Sequence, residues 1–145
     1  MKERYVAFIS YAHRDERWAL WLQKALETYR IPRKITAQSS NLQLGGKALF
    51  PVFLDRSELP SSSDLSLSIR SALDDSGALI VICSPAARKS RWVKEEIRHF
   101  QHSGKGSRIF CLLVDGSTDT DSVDCAFPEP LLVDPDGISK VCLLY

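Results

Sequence analysis

The 145-residue chain predicts an α/β fold: an open, parallel, five-stranded sheet of flavodoxin-like order with helices on both faces. Three observations carry this reading. Short apolar runs alternate with segments of helical periodicity, the pattern of strand, helix, strand units joined by right-handed crossovers. Two of those runs, "GALIVICS" and "RIFCLLVDG", are apolar without alternation, as strands covered on both faces are. The length suits one core, so residues 1–145 are read as a single domain.

The elements follow in order. "YVAFISYA" (5–12) is a β-branched and aromatic run, the first strand. "HRDERWALWLQKALETYR" repeats Trp18, Trp21, Leu22, Ala25, Leu26 and Tyr29 at helical spacing, and Pro32 stops that helix. "KITAQSSNLQLGGK" is a polar connector leading to "ALFPVFLD", the second strand, where Pro51 points to a sheet edge. "RSELPSSSD" is a turn-rich loop whose serines and Asp64 are placed to cap a helix with Leu65, Ile69, Ala72 and Leu73 on one face. "GALIVICS" is the third, central strand, followed by the helix "RWVKEEIRHF", a "HSGKGS" turn and the fourth strand "RIFCLLVDG". "SKVCLLY" reads as a fifth. The chain ends on it with no covering helix behind, so the domain is expected to have been cut from, or to continue into, a longer protein.

Composition narrows the function. Hydrophobic residues make up 44% and charged residues 26%, and 19 basic against 18 acidic residues leave a formal charge of +1. These are soluble-domain values without the basic footprint of a nucleic-acid binder. No apolar run has the length of a membrane span, and "MKERYVAFIS" lacks the long apolar core of a signal peptide, so a cytoplasmic location and no membrane partner are expected. Cys83, Cys111, Cys125 and Cys142 are widely spaced without a CxxC pair and read as reduced packing residues. His99 and His102 share a helix but read as solvated, so no metal site is expected.

The helix "RWVKEEIRHF" carries the most informative detail. At roughly 100° per residue from Trp92, Phe100 falls at about 80°, Val93 at about 100° and Ile97 at about 140°. Glu96, at about 40°, lies inside that apolar arc, whereas Glu95, at about 300°, sits with Arg91 and Arg98. A carboxylate among apolar neighbours loses hydration and must be capped, paired or kept for chemistry. In open parallel sheets the ligand crevice lies beyond the carboxyl ends of the strands where their order reverses, here strands one and three. Glu96 is thereby placed to face a crevice bordered by Ser10, Tyr11, His13 and Arg14; the alternative is that it pairs with an arginine or caps a backbone group. Neither "LGGKALF" nor "HSGKGSR" has P-loop spacing, no GxGxxG follows the first strand, and no GxSxG elbow accompanies Ser84 or Ser90. Asp55 ends the second strand, whereas receiver domains carry their phospho-acceptor after the third.

Five stretches in order, "FISYAHRDE", "VFLDRSELPSSSDLSLSIRSAL", "GALIVICSP", "SRWVKEEI" and "RIFCLLVDG", resemble the successive boxes of a TIR (Toll/interleukin-1 receptor) domain of the bacterial, NAD-cleaving branch. The likeness runs over nearly the whole chain, and the Ser/Trp/Glu box is its most specific part. It implies that Glu96, four residues after Trp92, is the carboxylate essential for cleaving NAD+, with NAD+ as substrate and no separate cofactor. It further implies that Ser10, Tyr11, His13, Arg14, Asp55, Arg56 and Trp92 border the substrate, Arg14 as a phosphate partner. For the residues after the first strand, helix capping and surface charge are the alternative. Trp92 is read first as packing its helix on the sheet, with stacking on a base or nicotinamide as the lesser role. Ser57, Glu58, Leu59, Pro60, Ser61, Ser62, Ser63 and Asp64 resemble the BB loop, through which such domains self-associate. Serine stands here where a glycine is often found in the middle of that loop.

The resemblance therefore implies an NAD+ glycohydrolase that yields nicotinamide and ADP-ribose or its cyclic form, activated by self-association with other TIR domains. The main rival is a TIR scaffold that assembles without turnover. A nucleoside-processing transferase of related topology, also placing a glutamate at a ribose, is the third reading.

Overall fold

The computed structural model describes residues 4–29, 51–54, 67–117, 123, 125–132 and 142–143. A five-stranded parallel sheet forms its middle layer: β1 (Ala7–Ser10), β2 (Val52–Leu54), β3 (Leu79–Cys83), β4 (Ile109–Leu113) and β5 (Cys142–Leu143), in the order β2-β1-β3-β4-β5. All five residues of β3 are buried, as its unbroken apolar run predicts.

Successive residues of a strand point to opposite faces, and that parity sorts the core into two layers. Phe8, Leu79, Val81, Cys83, Ile109 and Cys111 fill one face. Ala7, Ile9, Val52, Ile80, Ile82 and Leu112 fill the other. The first face is covered by α2 (Leu67–Asp74) through Ile69, Ala72 and Leu73, by α4 (Arg91–Phe100) through Val93, Ile97 and Phe100, and by α5 (Glu129–Leu132) through Leu131. The second is covered by α1 (Glu16–Thr28) through Ala19 and Leu22. Helices thus lie on both faces. The expected contribution of Leu65 and the cap at Asp64 fall outside the described residues.

In α1 the six residues expected on one face divide. With Trp18 at zero, Leu22, Leu26 and Ala19 span about 100° and define the core side, whereas Trp21 lies about 60° beyond its edge. Trp21 is accordingly 57% exposed and meets Trp18 edge to face, the ring centroids 6.2 Å apart. Tyr29 follows the helix in extended backbone (φ −72°, ψ 131°), so helical spacing no longer places it, and it too is exposed.

Strand β2 occupies an edge, as Pro51 predicts, and α1 occupies the strand's outer hydrogen-bonding groups. Val6 donates to the Pro51 carbonyl, so the polar groups of Val52 face away from β1. There Val52 N–H donates to Glu27 Oε2 (2.9 Å), and its carbonyl accepts from Gln23 Nε2 (3.1 Å). Unpaired edge groups are a template for wrong pairing, and these two side chains blunt it.

Beyond β3, the short helix α3 (Pro85–Lys89) precedes α4. Ser84 Oγ caps it by accepting from Ala87 N–H (3.0 Å), Pro85 opens it, and Ser90 then caps α4 by accepting from Val93 N–H (3.3 Å). After α4 the chain reverses through 101–105, where Gly104 takes the left-handed conformation at φ 81°. Lys105 Nζ donates to the carbonyls of Asp74 (2.8 Å) and Ser76 (2.9 Å), joining that reversal to the end of α2. Cys83, Cys111 and Cys125 are free and buried in one core layer. A hydrogen bond with Cys111, and then burial, hold the Cys83 thiol well above its ordinary pKa, with the other two cysteines adding to the effect. Among the described residues, no helix is long and apolar enough to cross a membrane.

Candidate active site at the β1 and β3 strand ends

Chain order reverses between β1 and β3, whose neighbours on the far sides are β2 and β4. The site is built from what leaves the carboxyl ends of those two strands. Ser10, the last residue of β1, has the parity of Phe8 and therefore points to the face covered by α4. There its hydroxyl donates to Glu96 Oε1 at 2.8 Å, both side chains being buried.

Glu96 reaches that position because α4 turns Val93, Glu96, Ile97 and Phe100 inward together. Its residue is 4% exposed, whereas Glu95 is 38% exposed in its side chain and pairs with Arg98 at 3.1 Å. The wheel separates the two glutamates, and they lie on the same two sides of α4 in the fold. A carboxyl seated in an apolar helix face interacts with a developing positive charge far more strongly than one in water.

The segment after β1 is a turn of 3-10 helix, His13–Asp15, closed by a 2.8 Å bond from Asp15 N–H to the Ala12 carbonyl. Tyr11 is partly buried against the second core layer, and His13 and Arg14 are exposed. Ser10, Tyr11, His13 and Arg14 follow one another at this strand end, Ser10 toward the α4 face and Tyr11 toward the α1 face. Trp92 stands in the first turn of α4. It is half-buried, belongs to neither core layer of the described residues, and has the Arg91 guanidinium 5.9 Å from its ring centre. Asp55, Arg56 and the loop Ser57–Asp64 lie outside the described residues.

Two further polar residues stand here, one unremarked in the sequence and the other, Ser84, weighed only as a nucleophile without an elbow. Asp15 and Ser84 are buried, and Ser84 Oγ donates to Asp15 Oδ2 at 2.5 Å. Parity could have found the pair: Ser84 continues β3 in extended backbone with the parity of Ile80 and Ile82, toward the face that α1 covers. Among the described residues no group of three or more His, Cys, Asp or Glu side chains could hold a metal ion, and His99 instead meets Asp74 at 2.8 Å.

With this geometry in hand, comparison with known proteins decides the family. The TIR domain family matches residues 7–133, which hold every described element except β5. The chain belongs to the TIR domain family. This TIR domain is 31% identical over 135 residues to the NAD(+) hydrolase ApTIR of Actinoplanes sp., a match covering 91% of the chain and 17% of that protein. It also resembles in fold the TIR domains in the structure of the activated Roq1 resistosome directly recognizing the pathogen effector XopQ. That likeness has a TM-score of 0.53 at 20% identity and covers 78% of the present chain and 59% of that one.

Proposed function

We propose that this TIR domain cleaves the bond between nicotinamide and ribose in NAD+, with Glu96 as the essential carboxylate and water as the acceptor. The supporting observation is Glu96 itself: a carboxyl turned into the apolar side of α4, at the point where strand order reverses, and met by the Ser10 hydroxyl at 2.8 Å. The relative named as an NAD(+) hydrolase adds weight, although the chain spans only 17% of its length.

The chemistry fits one carboxylate. Breaking the bond gives the ribose oxocarbenium character, as in glycoside hydrolysis, and a carboxylate at the sugar stabilises that charge and holds the ribose hydroxyls. Nicotinamide leaves neutral from a cationic ring, so the departing group needs no general acid. Water then adds to the sugar and loses a proton, giving ADP-ribose; capture by a group of the same nucleotide gives the cyclic form. Tyr11, His13 and Arg14 form the rim, the exposed guanidinium of Arg14 suiting the pyrophosphate. Asp55, Arg56 and Trp92 complete the substrate contacts, and self-association through residues 57–64 activates the domain.

The test is nicotinamide release measured against protein concentration for wild type, Glu96→Gln and Glu95→Gln. Wild type and Glu95→Gln are expected to release nicotinamide with a rate per chain that rises with concentration. Glu96→Gln is expected to fall at least about a hundredfold, as removal of a charge-stabilising group does. Silence of all three, even when clustered, transfers the domain to the scaffold reading. Release from free nicotinamide riboside as fast as from NAD+ assigns it to the nucleoside-processing class.

A further inference from the structure

We propose that Asp15 and Ser84 are positioning residues of this site: their hydrogen bond fixes the turn that carries Tyr11, His13 and Arg14 against the strand end above Glu96. The proposal rests on the NAD+-cleaving reading and deepens it.

Asp15 stands at the N-cap of α1 yet makes no side-chain bond to that helix. An aspartate at an N-cap ordinarily accepts from the first-turn amides. Here its carboxyl turns away and accepts from a hydroxyl 69 residues along the chain. Ser84 is satisfied on both sides, donating to Asp15 and accepting from Ala87 N–H, so one oxygen joins the start of α1 to the start of α3. Asp15 and Ser84 are 8% and 2% exposed, which shields their bond from competition by water.

The two serine bonds form one device. Ser10 leaves β1 toward the α4 face and holds Glu96, whereas Ser84 leaves β3 toward the α1 face and holds Asp15. Segment 10–15 is therefore fastened at both its ends to segment 84–96, with Tyr11 packed on the second core layer and the exposed His13 and Arg14 between the two fastenings. The fastenings differ in what they hold. The first orients the reacting carboxyl, and the second sets the distance from that carboxyl to the rim that grips the remote part of the nucleotide. Loss of a remote, uniform contact raises KM and leaves kcat, whereas loss of orientation at the reacting centre lowers kcat.

The experiment is full NAD+ saturation kinetics on the 145-residue chain for wild type, Ser84→Ala, Asp15→Ala, Asp15→Asn and the double alanine variant. Thermal unfolding and amide hydrogen exchange over residues 11–15 accompany it. Ser84→Ala and Asp15→Ala are expected to raise KM about tenfold or more with kcat within about threefold, the signature of lost uniform binding. The double variant is expected to match either single one, because both remove the same bond. Asp15→Asn keeps an acceptor oxygen, folds even where the alanine variants do not, and shows a smaller rise in KM. Exchange at residues 11–15 is expected to quicken in Ser84→Ala. Unchanged KM, or a fall in kcat alone, in a variant that unfolds at the wild-type temperature overturns the positioning role while the NAD+ reading stands. Unchanged exchange in Ser84→Ala overturns it without reference to activity. A wild type that releases no nicotinamide even when clustered removes the NAD+ reading and this inference with it.

Discussion

Helix α4 hides a carboxyl in its apolar face, and helix α1 leaves a tryptophan in water. Both are amphipathic crossover helices packed on the same sheet, one on each side. Glu96 is 4% exposed and Trp21 is 57% exposed. The two departures from ordinary patterning do not weigh the same. A buried polar group has to be met by a donor placed for it, and Ser10, 86 residues earlier in the chain, supplies one. An exposed apolar side chain needs no such arrangement, since more than half of a folded surface is apolar. The glutamate therefore speaks of a site, and the tryptophan by itself does not.

Substitutions on the buried side of α4 give the largest effect and sharpen the contrast within that helix. Ile97 is fully buried between α4 and the sheet, and Ile97→Ala is expected to cost about 2–5 kcal/mol in urea unfolding. Its neighbour Glu96→Gln preserves an oxygen for the Ser10 hydroxyl and is expected to unfold within about 1 kcal/mol of wild type, because the hydrogen bond survives in neutral form. A Glu96→Gln chain as unstable as Ile97→Ala would make Glu96 a structural residue and break the comparison.

Ser10→Ala comes next. It removes a donor from a buried carboxyl, at an expected cost of about 1–3 kcal/mol. In the proposed reaction it also lowers kcat more than it raises KM, because the carboxyl loses its orientation. Stability loss without any change in kcat would separate Ser10 from the chemistry. Smaller still is the edge cap on the α1 side. Glu27→Ala leaves the Val52 N–H without its acceptor at the rim of the sheet, and about 1 kcal/mol is expected from one net hydrogen bond. Light scattering is expected to show more self-association in the Gln23→Ala, Glu27→Ala double variant, whose β2 edge is uncovered.

Much of this was legible because it follows from local period. The unbroken apolar run of β3 marks a central strand, Pro51 marks an edge, and the wheel of α4 separates Glu96 from Glu95. What stayed hidden needed the third dimension. Helix α3 is five residues long, too short for a period to declare itself. The Asp15 to Ser84 bond spans 69 residues, and although strand parity points Ser84 to the α1 face, the placing of Asp15 against it depends on how the 3-10 turn after β1 folds back. Trp92, near the border of the apolar arc, can fall either side with a small rotation of its helix, and it fell outside both core layers. Trp18 and Trp21 posed the same ambiguity on α1.

Trp21 supplies the sharpest check on that last point. Its contribution to the fold is the part of the ring that is covered, together with an edge-to-face contact to Trp18. Trp18 itself packs against the second core layer and has the Arg17 guanidinium 5.6 Å from its ring centre, so it keeps its place when Trp21 is removed. Trp21→Ser is therefore expected to cost about 0.5–1.5 kcal/mol for the aromatic pair, plus the burial of the covered part of the ring, and to leave the urea m-value unchanged. Trp18→Ser, by contrast, opens the core side of α1 and is expected to cost more. Equal losses from the two would mean that α1 is rotated toward Trp21, that both indoles share the core side, and that only α4 departs from ordinary helix patterning.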